Sequence, residues 1–286
     1  MAFRLGMQSA GMRPYCCDAR VREIVKLVVA ERFPIGRVRR PRANVDDVLD
    51  ACEFLLWSGA PYRALQYHCT AYSHVTIHAY LTKWANAGVF QEAYRRALRL
   101  QRRPTRRGAT HNAIDTTYVK NLYGRDCIGR NPTDRGRNAT KVSALVDSDG
   151  VVHSLRFYPG NTPDCHTVSD TLDNRMSPTP RGTALYADKG YDSRAVRHTM
   201  QQSGYVDCVL KRCRRGQVTR QNRGQRPRQR TNVALRVSNR RRGIVECVFS
   251  WFDKSRRLLM RVDASRIAFE AYSWLACLRI LGRRLL

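Results

Sequence analysis

Apolar positions recur with a helical period over the N-terminal third of the chain. In residues 20–33 they stand three and four positions apart, which predicts a helix with one buried face. Asn44 is a typical N-cap for a second helix, and Gly59 would end it in the left-handed conformation that glycine readily takes. The sequence therefore predicts an all-helical N-terminal region.

Two shorter helices are predicted next, separated by a break at residues 69–72. The second would begin after Ser73 and end at Gly88. Such a pair is typical of a helix-turn-helix whose second helix enters a DNA groove, although helical bundles contain similar pairs. His74 and His78 also have the spacing of zinc ligands, but no Glu or Cys nearby completes a set. The side chains that the second helix would offer to DNA are Ser73, His74, Thr76, His78 and Lys83.

The hydrophobic period changes beyond an arginine-rich linker, and we place a domain boundary near residue 106. After it, apolar and polar residues alternate as in β-strands, with a hairpin turn predicted at Asp149-Gly150. Helical patterns then alternate with two further short strands. Three strands, a helix, a strand, a helix and a strand predict a mixed α/β sheet flanked by helices. We therefore expect a helical DNA-binding region at residues 1–105 and a separate α/β domain at residues 106–286.

Composition adds a strong positive charge to this picture. Lys and Arg number 52 against 23 Asp and Glu, which gives a formal net charge of +29. A field of this sign attracts polyanions, and nucleic acid is the commonest large one, so nucleic acid is the expected partner. A solvated basic surface, or a genome rich in Arg codons, would give the same composition.

Other features bear on the compartment. No apolar run approaches the ~20 residues of a membrane helix, and the N-terminus lacks the apolar core of a secretory signal. The ten cysteines include no C-x-x-C pair, which we interpret as free thiols of a reducing compartment. We expect an intracellular protein without a membrane segment.

Residues 211–242 contain no acidic side chain and thirteen basic ones. Like charges at this density repel one another, so the segment is expected to be mobile until an anion neutralises it. A solvated loop is the alternative. We favour contact with nucleic-acid phosphates, because the block leads directly into a candidate active-site helix. The residues predicted to contact phosphates, here and just beyond, are Arg212, Arg214, Arg215, Arg240, Arg241, Arg242, Lys254, Arg256 and Arg257.

Three carboxylates stand where a phosphoryl-transfer site could be built. Asp115 lies inside the first strand of the α/β domain, Asp188 follows a short apolar strand, and Glu246 lies on a predicted helix away from its apolar stripe. Nucleases commonly hold two Mg²⁺ ions between such side chains, because hard cations prefer oxygen ligands. Asp115 could instead bond neighbouring threonines, and Asp188 could cap a helix. Glu246 could simply pair with Arg242 one helical turn earlier.

Five segments of the second domain resemble, in order, the blocks of a known family. They are IDTTYVK, GRNPTDRGRNATKVSALVDSDGV, PGNTPDCHT, LYADKGYDS and RRGIVECVFSWFDKSRRLL. They cover roughly residues 106–281 and resemble the IS5-type branch of the IS4 superfamily of insertion-sequence transposases, which are DDE enzymes. The helical N-terminal region also looks like the DNA-binding part of that family. The resemblance implies a ribonuclease-H-like catalytic fold with Asp115, Asp188 and Glu246 as the DDE triad.

The same resemblance implies an activity. It implies a DNA transposase that uses Mg²⁺ or Mn²⁺, as two ions, to hydrolyse terminal inverted repeats and then join the freed 3′ end to target DNA. Double-stranded DNA and further copies of the chain in a synaptic complex are the implied partners, in a bacterial nucleoid or a host nucleus. The alternative is a domesticated DNA-binding protein that no longer transposes, although three placed carboxylates favour retained chemistry.

The sequence departs from the family pattern in several places. Asn161 and Asp164 lie in a block that reads NTPD, where relatives carry a block like NxHD. Arg242 matches an arginine one turn before the catalytic Glu, but Asn239 stands where some relatives carry tyrosine. Asp253 stands where some carry lysine. The departures at Asn239 and Asp253 concern the DNA contacts of the helix rather than the triad.

Overall fold

The computed structural model of the chain begins with a helical region, as predicted. Asp18 and Asn44 cap the first two helices, because each side chain accepts the backbone N–H two residues ahead. Gly59 ends the second helix at φ +70°. The residues that the structure describes are 17–34, 42–67, 71–100, 110–210 and 229–285. The α-helices of this first region are α1 (Ala19–Arg32), α2 (Val45–Ser58), α3 (His74–Asn86) and α4 (Val89–Leu100).

The predicted helix-turn-helix differs in its first element. Tyr62–Tyr67 form a 3-10 helix rather than an α-helix, and residues 68–70 lie outside the described part of the chain. The second element is α3, which begins where the Ser73 hydroxyl accepts the backbone N–H of Thr76 at 3.3 Å. The α3 helix is therefore confirmed, while its use as a DNA-reading helix stays a prediction.

The second part of the chain folds as the predicted mixed sheet. Its strands are β1 (His111–Asn121), β2 (Gly129–Arg130), β3 (Asn138–Asp147), β4 (Val152–Pro159), β5 (Thr183–Tyr186), β6 (Tyr205–Asp207) and β7 (Met260–Arg261). β3 runs antiparallel between β1 and β4, whereas β1, β5 and β6 are parallel neighbours. The predicted hairpin joins β3 to β4 through Gly150, at φ +80°. The helices α5 (Val168–Asp173) and α6 (Arg194–Gln202) connect β4, β5 and β6.

One edge of β1 is left open in its middle. β5 pairs with β1 only as far as Ala113, and β7 pairs with it only from Lys120 onwards. Between these positions no described strand pairs with β1 on that side, although β3 pairs with it continuously on the other. This opening, which we call the β1 gap (residues 114–119), contains Asp115.

A long helix, α7 (Gln229–Asp253), lies over β1 and β3. It is anchored by an apolar stripe in which Val245, Val248 and Phe252 are buried. Residues 229–242 of the basic block are the start of this helix, so the predicted mobile loop is wrong for that part. Adding residues to a helix that is already anchored costs little free energy. This explains why repulsion between the basic side chains does not unwind the start of α7.

The helix α9 (Arg266–Leu285) joins the two predicted domains. It packs against α1, α3 and α4, and also against β4 and α7. The Trp274 ring lies 5.4 Å from that of Tyr94, whose hydroxyl donates to the Val152 carbonyl of β4 at 2.9 Å. The predicted boundary near residue 106 falls in residues 101–109, outside the described residues, and one hydrophobic cluster contains side chains from both sides of it.

The first helices and the sheet therefore share one core. A smaller cluster fills the other face of the sheet, below α5 and α6, and includes Ile114, Leu145 and Leu185. Within the described residues, no helix combines the length and the apolar character that crossing a membrane requires.

Candidate active site

Two of the predicted carboxylates lie near each other, Asp115 on β1 and Asp188 two residues beyond the end of the neighbouring parallel strand β5. Ala113 of β1 pairs with Tyr186 of β5, so extending that register by two residues brings Asp115 alongside Asp188. Asp188 is exposed, and its carboxylate accepts the Gly190 N–H at 3.4 Å, which caps a short 3-10 helix. The capping role that the sequence left open is therefore present, and it leaves most of the carboxylate accessible.

The third carboxylate arrives from α7 and is connected to Asp115 by an arginine. Arg242 donates to Asp115 Oδ2 at 2.6 Å and lies 3.0 Å from Glu246 Oε1. The Glu246 side chain is 60% exposed, whereas that of Asp115 is 17% exposed. Asp115 also accepts the backbone N–H of Thr116 at 2.9 Å. The two contacts considered from the sequence, Asp115 with a neighbouring threonine and Glu246 with Arg242, therefore both occur. Arg242 holds Asp115 and Glu246 around its guanidinium.

Burial makes Asp115 an unusual carboxyl group. Burial raises its pKa to about 6, and the nearby Asp188 carboxylate adds to the rise. The Thr116 N–H and the Arg242 guanidinium act in the opposite direction but do not cancel it. Its ionised form is therefore short of stabilisation at neutral pH, which a cation at this position would supply.

The described residues contain no group of three or more His, Cys, Asp or Glu side chains arranged to hold a metal ion. Arg242 lies between Asp115 and Glu246, so the positive charge in the present arrangement comes from the protein itself. The donors nevertheless fit a hard divalent cation, because all three are carboxylates and one is buried with a raised pKa.

A histidine at the start of β1 fixes the position of α7. The Arg241 guanidinium donates to His111 Nδ1 at 2.9 Å, so the proton of the neutral ring is on Nε2, which lies 3.1 Å from the Arg241 carbonyl oxygen. The ring also meets Tyr186 of β5 edge to face. Burial lowers the pKa of His111, which favours this neutral form. β1, β5 and α7 therefore meet immediately beside Arg242.

The residues predicted to contact DNA have different surroundings. Arg240, Lys254 and Arg256 are exposed, whereas Arg241 and Arg242 are half-buried in the contacts just described. On α3, Ser73 caps the helix and Lys83 lies 4.4 Å from the centre of the Phe33 ring. His74 and Thr76 are partly exposed on the same helix. Arg212, Arg214 and Arg215 lie outside the described residues.

Arg257 does not face DNA, so that prediction is wrong. The α7 helix ends at Asp253, and Arg257 belongs to the separate short helix α8 (Arg256–Leu259). Its side chain is 2% exposed and donates to both carboxylate oxygens of Asp263, at 2.7 and 3.1 Å. It also donates to the Ala60 carbonyl and lies over the Tyr62 ring. Arg257 therefore stabilises the join between α8 and the first helices.

The sequence reasoning missed a polar network behind Asp115. The Lys141 ammonium, on β3, lies 2.5 Å from Asp164 Oδ1, and the Thr116 hydroxyl donates to the same oxygen at 2.7 Å. No signal in the sequence reveals it, because apolar and polar residues alternate along β3 as in a half-buried strand, whereas the structure buries residues 139–147 on both faces.

The second part of the chain is similar to a known protein family. A family model described as the transposase DDE domain matches residues 106–281. The chain belongs to that family. Membership of the transposase DDE domain family supports the function of a DNA transposase and does not favour the domesticated DNA-binding alternative.

Relatives of this family member include two bacterial proteins. A putative transposase for insertion sequence element IS402 of Burkholderia cepacia is 26% identical over 162 residues, which is 54% of this chain and 68% of the relative. The transposase for insertion sequence element IS1106 of Neisseria meningitidis serogroup B is 30% identical over 80 residues, 28% of this chain and 26% of the relative.

The fold is also shared with a solved structure. The piggyBac transposase, in a synaptic complex with hairpin DNA, has a TM-score of 0.52 and 13% identity, over 95% of this chain and 73% of that one. The predicted ribonuclease-H-like sheet with flanking helices is thereby confirmed.

Proposed function

We propose that this member of the transposase DDE domain family is a transposase of the IS5-type branch of the IS4 superfamily, with Asp115, Asp188 and Glu246 as its active-site carboxylates. The observation that carries the proposal is their arrangement. Asp115 and Asp188 come level at the β1 gap, and Arg242 connects Asp115 to Glu246. The opening lies just beyond the carboxyl end of β5, and open α/β sheets commonly bind ligands at the carboxyl ends of their strands.

The proposed cofactor is a divalent cation, Mg²⁺ or Mn²⁺, bound as two ions by these three carboxylates. Bound ions would stabilise the charge that develops on the attacking and leaving oxygens of the phosphodiester. The protein's own contribution is to keep the buried Asp115 ionised and aligned, through the Thr116 N–H and Arg242. Once bound cations neutralise Asp115 and Glu246, the Arg242 guanidinium would be able to donate a hydrogen bond to a phosphate oxygen.

The proposed partner is double-stranded DNA, bound mainly through its phosphates. Arg240, Lys254 and Arg256 are exposed near the carboxylates along the chain, and the basic residues 211–228 precede α7. We assign sequence reading to residues 1–105, through Ser73, His74, Thr76 and Lys83 of α3 and its N-cap, and catalysis to residues 106–286. A synaptic complex of several copies, in a nucleoid or a host nucleus, completes the proposal.

The proposed reaction is hydrolysis at terminal inverted repeats followed by strand transfer. The first test uses Asp188→Asn in the full chain, with a plasmid that carries the DNA flanking the coding sequence. We expect Mg²⁺-dependent cleavage to fall below detection while DNA affinity stays within about twofold, because among the described residues the exposed Asp188 carboxylate accepts a hydrogen bond only from the Gly190 N–H.

The matched control is Asp173→Asn, which changes an exposed carboxylate at the end of α5, a helix that packs on β3, β4 and α6. It should cleave like the unchanged chain. Cleavage by Asp188→Asn at the unchanged rate would show that the triad assignment is wrong.

A further inference from the structure

A buried ammonium group lies on the face of the sheet that α5 covers. Lys141 of β3 stands opposite Tyr118 of β1 and is 2% exposed. Its Nζ lies 2.5 Å from both Asp164 Oδ1 and the Thr162 carbonyl oxygen, and 4.7 Å from the centre of the Tyr118 ring. Burying an ammonium group is costly unless it is paired, so Lys141 depends on Asp164 for its place in the core.

The same carboxylate oxygen reaches β1. Asp164 Oδ1 accepts the Thr116 hydroxyl at 2.7 Å, and the backbone N–H of Thr116 donates to Asp115 Oδ1 at 2.9 Å. Three hydrogen bonds therefore connect the buried Lys141 to the Asp115 carboxylate, which lies on the opposite face of the strand.

This connection falls where β1 has least support. Thr116 lies inside the β1 gap, where no described strand pairs with β1 on the β5 side. The Thr116 hydroxyl thus anchors β1 next to Asp115, whose carboxylate must keep its position. The Lys141 ammonium is buried but the Asp164 side chain is 40% exposed, so the pair adds little net stability and its effect here is on placement.

We propose that Lys141 and Asp164 are positioning residues for Asp115, acting through the Thr116 hydroxyl. The inference rests on the proposed function, in which Asp115 binds the catalytic cations. Neither side chain takes part in bond breaking. Together they set the orientation of the Thr116 N–H, and that N–H sets the orientation of the Asp115 carboxylate.

The direct test is Thr116→Val, which removes the hydroxyl but keeps the branched shape. We expect Mg²⁺-dependent cleavage to fall about tenfold and the Mn²⁺ concentration that half-saturates the Tm shift to rise about tenfold, as is typical when a partner of a metal ligand is lost. The metal-free Tm should change little. Thr116→Ser keeps the hydroxyl and should restore both values. The matched control is Thr117→Val, because the Thr117 hydroxyl has no hydrogen-bond partner among the described residues.

A second set of variants separates placement from stability. Asp164→Asn leaves the Lys141 ammonium buried without its anionic partner, so both Tm and cleavage should fall. Adding Lys141→Met removes the unpaired charge and should restore most of the Tm. Cleavage should stay low in this double variant, because Thr116 still lacks its charged acceptor.

Two results would overturn the inference. One is Thr116→Val with unchanged cleavage and an unchanged Mn²⁺ midpoint, and the other is a double variant whose cleavage recovers together with its Tm. Absence of cleavage by the unchanged chain would instead count against the proposed function. The Mn²⁺ midpoint of Thr116→Val still decides the inference in that case, and a chain whose Tm does not respond to Mn²⁺ at all overturns both.

Discussion

Asp115, a proposed active-site carboxylate, shows at the scale of a single residue how burial of an ionisable group lowers stability. Its ordinary pKa of 3.8 rises to about 6 because its carboxyl group is buried. The folded chain therefore holds this proton more tightly than the unfolded chain does. The contribution of Asp115 to the free energy of unfolding is fully present below pH 4 and is lost as the pH rises through 6. By neutral pH the burial of the ionised carboxylate has lowered the free energy of unfolding by up to about 3 kcal/mol.

The prediction at this scale is that Asp115→Asn stabilises the protein while it abolishes cleavage. At pH 7.5 we expect its Tm to rise by a few degrees, because a neutral amide replaces a poorly solvated anion. At pH 4 the difference should vanish, since Asp115 is protonated there. Calorimetry at both pH values measures this. Asp188→Asn changes an exposed group and should leave the Tm nearly unchanged, and a lower Tm of Asp115→Asn at both pH values would contradict the argument.

At the scale of elements, the short helix α8 presents neighbouring arginines to opposite environments. Arg256 is exposed and available to DNA phosphates, whereas Arg257 is buried against Asp263 and the ring of Tyr62. The two side chains carry the same charge in adjacent positions, so they form a matched pair for separating DNA contact from folding.

We predict that Arg256→Ala reduces the slope of log affinity against log salt by about 0.9, the value of one lost phosphate contact, without changing the Tm. Arg257→Ala should leave the slope unchanged but destabilise the fold by about 3–5 kcal/mol, because it leaves the buried Asp263 unpaired. Fluorescence anisotropy with duplex DNA over a NaCl series, together with thermal melts, tests both. A reduced slope of log affinity against log salt in Arg257→Ala would show that Arg257 does contact DNA phosphates.

The elements also show which parts of the fold a sequence can predict. Asn44, Gly59, Ser73 and the Asp149-Gly150 turn were predictable because each acts on its own backbone neighbours. The antiparallel β3–β4 hairpin and the helix around Glu246 followed from hydrophobic period, whereas the pairing of β1 with β3 did not. These features depend on residues that are close together in the sequence, so the sequence alone predicts them.

What could not be predicted depends on contacts between distant segments. β2 and β7 are two residues long and carry no period of their own. The burial of Arg257 depends on a break at Asp253 and on a partner from the first helices. The network of Lys141, Asp164 and Thr116 joins three separate segments, and nothing in their spacing along the chain indicates that they meet.

At the scale of the whole molecule, the two predicted domains share a core. The helix α9 packs on α1, α3 and α4 on one side and on β4 and α7 on the other. Among its buried side chains are Tyr272, Trp274, Leu275 and Leu278. Because α9 is buried on nearly all sides, it cannot keep its structure when the first helices are removed from one side or the sheet from the other.

We therefore predict that a fragment of residues 106–286 will not fold alone. It should bind the dye ANS and show no cooperative thermal transition, because the face of α9 that covers the first helices becomes exposed. The full chain should unfold in one transition. A fragment that melts cooperatively within a few degrees of the full chain would establish residues 106–286 as an independent domain.

The place of α9 in this core has a consequence for synthesis on the ribosome. The helices α1, α3 and α4 are translated well before α9, which provides the surface that completes their packing. A nascent chain that stops before residue 266 carries these helices without their partner. A chain truncated before residue 266 thus leaves the apolar faces of these helices uncovered.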